Sequence, residues 1–129
     1  ICSTCQRADD AIFSNLESGD FLFIDSSHIL MPGSDVDYFL NYIWHIICPG
    51  VIVHIHDVML PDGYPEAWQW RGYNEQSAIA PLISGASVRL LFSSNYLMTR
   101  MLDDFNSSLV HKFPTMQGAV DTSLWLLKK

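Results

Sequence analysis

The chain has 129 residues, 49% of them hydrophobic and 16% charged, and seven Lys and Arg against fourteen Asp and Glu give a formal net charge of −7. That is enough apolar material for one core and too little length for two domains, so 1–129 reads as a single domain. The acidic balance argues against a nucleic-acid partner, no apolar run approaches the roughly 20 residues of a membrane helix, and the start lacks a basic-then-apolar signal pattern.

The elements follow in chain order. Residues 9–17 carry Ala11, Ile12, Phe13 and Leu16 at helical spacing with acidic side chains in the first turn, and Gly19 is the expected stop. The run 21–24 (Phe-Leu-Phe-Ile) reads as a strand closing on Asp25, and 26–33 as a loop with turn residues at its far end. Ser34 precedes a helix with Asp35 and Asp37 near its positive end, apolar positions at Val36, Phe39, Leu40, Ile43, Ile46 and Ile47, and a stop at Pro49-Gly50. Residues 51–55 form a second, β-branched strand, so 21–55 is strand–helix–strand, a parallel crossover with both faces of the strands expected to be covered.

Further on, 62–65 (Asp-Gly-Tyr-Pro) is expected to turn, and the tryptophan-rich 66–73 to form a loop or short lid. A helix is expected over 74–83, in spite of Pro81, ending at Ser84-Gly85, followed by a third strand at 88–92. Residues 96–113 are ambiguous, helical around 97–105, and 123–127 reads as a final strand.

Ile1 is not an initiator methionine, and nothing before Asp9 looks like the opening of a domain, so a truncated or processed polypeptide is expected. Three cysteines, an odd number, fit a reducing cytoplasmic setting over a disulfide framework. Cys2 and Cys5 form a solitary CxxC without the strand-to-helix turn of a redox pair or the second ligand pair of a zinc site. Cys48 reads as a small core residue.

The chemistry gathers where the two parallel strands end. Adjacent strands lie about 5 Å apart, which brings Asp25, His28, His56 and Asp57 to one edge of the sheet, where ligands of open α/β sheets bind. Two carboxylates so close repel unless a cation or proton sits between them, and oxygen ligands beside an imidazole suit Mg²⁺, Mn²⁺ or another divalent metal. Equally, each Asp could cap the loop that follows it. His28, just beyond a strand end, is the candidate general base, or an ordinary loop residue bonded to backbone; His54 reads as a core histidine. Tyr64, Trp68, Trp70 and Tyr73 cluster with Arg71, Asn74 and Glu75 and either wall a small-molecule pocket or subunit interface, or plug the sheet end as core.

Taken together, Gly19-Asp-Phe-Leu-Phe-Ile-Asp-Ser-Ser-His28, Gly33-Ser-Asp-Val36, Pro49-Gly-Val-Ile-Val-His-Ile-His-Asp57, the Tyr64-Pro65 turn, the Trp-containing segment and Asn74-Glu75 resemble the second half of a class I S-adenosylmethionine-dependent methyltransferase, of the branch known as methyltransferase family 24. The resemblance spans roughly 9–92. It implies an α/β fold, the C-terminal half of a Rossmann-like sheet with parallel strands, a final antiparallel strand and helices on the faces. It implies methyl transfer from S-adenosylmethionine to an oxygen of a small-molecule acceptor, with Asp25 and His28 catalytic and Asp25, Ser26 and His28 facing the cofactor. Asp25, Asp57 and His56 would hold a divalent metal, and Tyr64, Trp68, Trp70, Arg71, Asn74 and Glu75 would meet the acceptor. Catechol-type relatives carry Asn directly after the second acid, where Val58 stands here; His56 is the residue that could replace it as ligand.

No G-x-G-x-G follows any strand, so the cofactor's glycine motif is absent and the chain alone is expected to be inactive. The free edge of the 21–24 strand would then invite a second copy, an expected homo-oligomer. Two other readings stay open: a metal-dependent hydrolase built on Asp25, His28, His56 and Asp57, and a non-catalytic oligomerising remnant.

Overall fold

The computed structural model describes residues 3–114 and 117–129; Cys2, and with it the CxxC pair, lies outside them. Four strands, β1 (Phe21–Ile24), β2 (Ile52–Ile55), β3 (Val88–Ser93) and β4 (Leu124–Lys128), form one mixed sheet in the order β1-β2-β4-β3. β1 and β2 are parallel, with Phe21 opposite Ile52 and Ile24 opposite Ile55. The last strand enters antiparallel between β2 and β3, with an irregularity in β3 between Leu90 and Phe92. The fold is therefore mixed α/β, and the expected strand–helix–strand unit and final antiparallel strand are both present.

The crossover between β1 and β2 begins at Ser34, whose hydroxyl accepts from the Asp37 amide at 3.1 Å and so satisfies one of the free donors of the first turn. The helix Asp35–Tyr38 runs through a π-type widening at Phe39–Ile43 into a last helical turn at Trp44–Ile46, and the chain becomes extended at Ile47 before Pro49-Gly50. The widened stretch keeps Phe39, Ile43 and Trp44 all buried against the sheet. Their partners are Val51, Val53 and Ile55 from the β2 run, Leu124 and Leu126 of β4, and Ile79 of the helix Gln76–Ser84.

Several expectations are adjusted. The helix expected over 9–17 is one turn, Ala11–Ser14, because Asp9 Oδ1 takes up the Ala11 amide and the following Ser, Asn and Gly residues do not prolong it. The turn placed at 62–65 falls a step earlier, where the Asp62 amide donates to the Met59 carbonyl, and 66–73 is mostly a 3₁₀ helix, Glu66–Arg71. The ambiguous 96–113 stretch holds two short helices, Ser94–Arg100 and Leu102–Ser107, broken at Met101. No helix among the described residues is long and apolar enough to cross a membrane.

The expectation that the parallel strands are covered on both faces is corrected. Among the described residues helices cover one face only. On the other, Phe21 and Phe23 are each 64% exposed, Phe21 beside Leu91 and Trp125. A short apolar run reports a strand but not how many layers lie over it, and only the packing of the chain decides that.

Candidate functional site

The Ile24–Ile55 pairing places the ends of β1 and β2 side by side, and the His56 amide donating to the Ile24 carbonyl (2.9 Å) carries the ladder one residue further. Beyond it the chain reverses sharply on each strand. His28 has φ 59° and Asp57 φ 53°, the left-handed region that costs most L-residues about 1–2 kcal/mol. Strain at two strand ends that face each other is the kind that marks a functional site.

The four expected residues do converge. His28 Nε2 lies 3.4 Å from Asp25 Oδ1 and 3.7 Å from Asp57 Oδ2. His56 Nδ1 stands 3.0 Å from Asp57 Oδ1 and 3.8 Å from Asp25 Oδ1 but makes no hydrogen bond with either. Asp57 also has Arg71 Nη1 at 3.7 Å. Asp25, with 58% of its side chain exposed, forms the mouth of the cluster, while the His28 side chain is only 4% exposed and forms its floor. His54, expected as a core histidine, is buried but on the face away from the helices, stacked on Phe23 at 4.7 Å and beside Trp125 at 4.6 Å. Its Nδ1 makes no hydrogen bond within the described residues; burial chiefly, with the neighbouring His56, lowers its pKa.

What lies behind His28 was not foreseen. Glu75, fully buried, places Oε2 2.9 Å from His28 Nδ1 and accepts the Ser26 hydroxyl at 3.2 Å. Burial alone would lower the His28 pKa, but the hydrogen bond and charge of Glu75, with the charges of Asp57 and Asp25, outweigh it and leave the imidazole above its ordinary value. The Ser26 proton is committed to Glu75, and both groups sit on the Nδ1 side of the ring, which disfavours Ser26 as a His28-activated nucleophile.

The 26–31 loop is anchored at both ends. Ser27 gives its amide (2.8 Å) and hydroxyl (2.5 Å) to Asp35, whose carboxyl stays below its ordinary range because these bonds and the Val36 amide outweigh its burial. Asn74 takes the Leu30 amide at 2.6 Å and donates to the Leu30 carbonyl at 3.3 Å. Asn74 and Glu75, expected at the acceptor, are thus placed as supports of the His28 loop. The signal was present, since a polar pair directly before a helix is a common place for loop anchors, but nothing in the sequence says which loop it meets.

Of the other residues expected at the acceptor, Tyr64, Trp68 and Arg71 do face the cluster. Tyr64 and Trp68 pack against Tyr73, whose ring is 4.6 Å from that of His28. The Arg71 guanidinium lies 4.1 Å over Trp68, held toward Asp57. Trp70 is 81% exposed and points away from the core. Burial, assisted by the Glu75 and Asp57 charges, pushes the Tyr64 phenol up to about 12. Its oxygen, Arg71 Nε and Glu75 Oε1 are buried and make no hydrogen bond within the described residues, a concentration of unsatisfied polar atoms typical of ligand sites.

The expected metal set fits poorly. Among the described residues no group of three or more His, Cys, Asp or Glu side chains is arranged to hold a metal ion. His28 Nε2 stands between the Asp25 and Asp57 carboxylates, so an imidazole fills the role a cation would have there, and Val58, the residue after Asp57, is buried in the core. Asp25, Ser26 and Asp35 form the polar end of a 420 Å³ groove along the edge of β1 that no described strand pairs, walled by Phe13, Leu22 and Phe39. Its size and mostly apolar lining are those of small-molecule sites.

Fold and site together define a mixed α/β protein with a carboxylate–imidazole cluster at the ends of two parallel strands. Compared with protein-family models, with curated proteins and with solved structures, the chain gives no match.

Proposed function

We propose that the chain carries the proton-handling side of a methyl-transfer site, with the methyl donor in the groove beside β1 and a small hydroxyl-bearing acceptor entering beneath the Tyr64, Trp68 and Tyr73 rings. One observation carries the reading: Asp25, His28, His56 and Asp57 converge at the ends of adjacent parallel strands, next to that groove. The acceptor hydroxyl donates its one hydrogen bond to His28 Nε2, while Asp25, exposed at the mouth and 3.4 Å from that nitrogen, keeps the imidazole edge turned toward it. His28 takes the hydroxyl proton as the oxygen attacks, and its raised pKa makes it a stronger base than a free imidazole. Asp57 and Asp25 stabilise the imidazolium so formed. Bound S-adenosylmethionine would supply an electrophilic methyl group, its sulfur keeping the electron pair of the broken C–S bond. Arg71, stacked on Trp68, and the aromatic rings exclude water from the acceptor.

The test is binding. Titrating the ¹⁵N-labelled chain with S-adenosylhomocysteine should shift the amides of Leu22, Asp25 and Ser26 first. Shifts confined to other parts of the sheet, or none at millimolar ligand, would remove the reading.

A second reading, a module that associates through β1, is favoured by the β1 edge, which no strand among the described residues pairs, and the exposed rings of Phe21 and Phe23. Sedimentation velocity over a concentration series should then show a dimer that Phe21→Lys weakens, and a monomer at the highest concentration would exclude it. The odd number of cysteines supports a reducing, cytoplasmic setting for either reading.

A further inference from the structure

His28 is held at two points by one dipeptide. The Asn74 and Glu75 amides both donate to the His28 carbonyl, at 3.0 and 3.2 Å, while Glu75 Oε2 sits 2.9 Å from its Nδ1. The first pair of bonds grips the backbone of a residue with φ 59°, and the third grips its ring. A carboxylate can only accept, so while Glu75 is ionised the bond to it requires a proton on Nδ1. Ser26 Oγ, 3.4 Å from the same nitrogen, donates its proton to Glu75 and adds no competing donor toward the ring. Asp25 and Asp57 also only accept, but at 3.4 and 3.7 Å from Nε2 they make no hydrogen bond, so the 2.9 Å bond to Glu75 decides, and in a neutral imidazole the lone pair falls on Nε2.

We infer that Glu75 is a positioning residue that fixes His28 in the Nδ1–H tautomer, with its basic nitrogen turned to the crevice. The arrangement is the one by which a buried acid directs a catalytic histidine, built here from the residue before a helix and a strand-end loop. Glu75 does not meet the acceptor. It acts through His28, and its functional importance rests on the reading of His28 as the base. Its effect on the ring does not.

The experiment reads the ring directly, in the 129-residue chain. Long-range ¹H–¹⁵N correlation of the histidine side chains, recorded above the His28 titration, reports which ring nitrogen carries the proton. The wild-type His28 should be the Nδ1–H tautomer, with an Nδ1 proton slow to exchange. Glu75→Leu, which removes the carboxylate and leaves only the Ser26 hydroxyl at 3.4 Å, free to donate to Nδ1, should convert it to the Nε2–H form or a mixture. Glu75→Gln, whose amide oxygen can still accept, should restore Nδ1–H. A wild-type His28 in the Nε2–H form overturns the inference, as does an unchanged tautomer in Glu75→Leu. If Glu75→Leu does not fold, the wild-type spectrum and Glu75→Gln still decide. Failure of S-adenosylhomocysteine to bind would remove the methyl-transfer reading and leave the tautomer result standing, so the two failures are distinct.

Discussion

Replacing Gly50 by alanine tests the geometry that sets β1 beside β2. Gly50 has φ +91°, and a Cβ built on it would stand 2.1 Å from Ser18 Oγ, 2.6 Å from Ser18 Cβ and 3.1 Å from Ser18 Cα. Its backbone bridges three segments: the Gly19 amide donates to its carbonyl (2.9 Å), its own amide donates to Lys128 (2.9 Å), and two residues on the Ile52 amide reaches Asp20 (2.8 Å). An L-residue in the left-handed region costs about 1–2 kcal/mol. Overpacking against Ser18 adds about 1–3 kcal/mol. Gly50→Ala should therefore lose about 2–5 kcal/mol, a large share of the 5–15 kcal/mol or so that holds a domain together. The two contributions separate in a double-mutant cycle. Ser18→Gly removes the two closest contacts but not the unfavourable φ, so Ser18→Gly/Gly50→Ala should recover about 1–2 kcal/mol of coupling. Equilibrium urea unfolding followed by far-UV circular dichroism gives all four corners. A loss below roughly 0.5 kcal/mol in Gly50→Ala, within the ordinary range of a surface substitution, would refute the packing argument.

Three further outcomes are expected. The folded-state pKa of His28 is raised, so the folded protein binds more protons than the unfolded one between the ordinary imidazole value and the raised one. The stability it contributes is fully present below the ordinary value and is lost as pH rises through the raised one; a pH series of unfolding midpoints in which His28→Gln shows the same slope as wild type would contradict this. Ser34→Ala removes the acceptor of the Asp37 amide and should lower unfolding stability by about 1 kcal/mol, read by the same urea titration; no change would mean that water replaces the cap. Asn74→Ala breaks both bonds to Leu30 and should cost about 1–3 kcal/mol and speed hydrogen exchange at the Leu30 amide; an unchanged exchange rate would show that the loop is held elsewhere.

The strand runs at 21–24 and 51–55 were legible because β-branched and aromatic residues ended abruptly at Asp25 and His56, and the crossover helix because Ser34 and Pro49-Gly50 punctuate a helical period. Local chemistry decides such features. From them the meeting of Asp25, His28, His56 and Asp57 followed, since parallel neighbours joined by one helix end at the same edge of the sheet. The weakest parts were the segments whose conformation depends on distant partners, 59–73 and 96–113.

What no local pattern carries is which groups meet across the fold. Glu75 lies 47 residues from His28, and only the packing of the helix it precedes against the sheet brings the carboxylate to Nδ1. The same holds for the uncovered face that bears Phe21 and Phe23, for the exposure of Trp70, and for an imidazole standing where a metal was expected. Side-chain type and spacing are written in the chain and set the elements and their ends. Contacts between residues far apart in sequence are settled only when those elements pack, because burial and charge pairing depend on neighbours that no stretch of sequence contains.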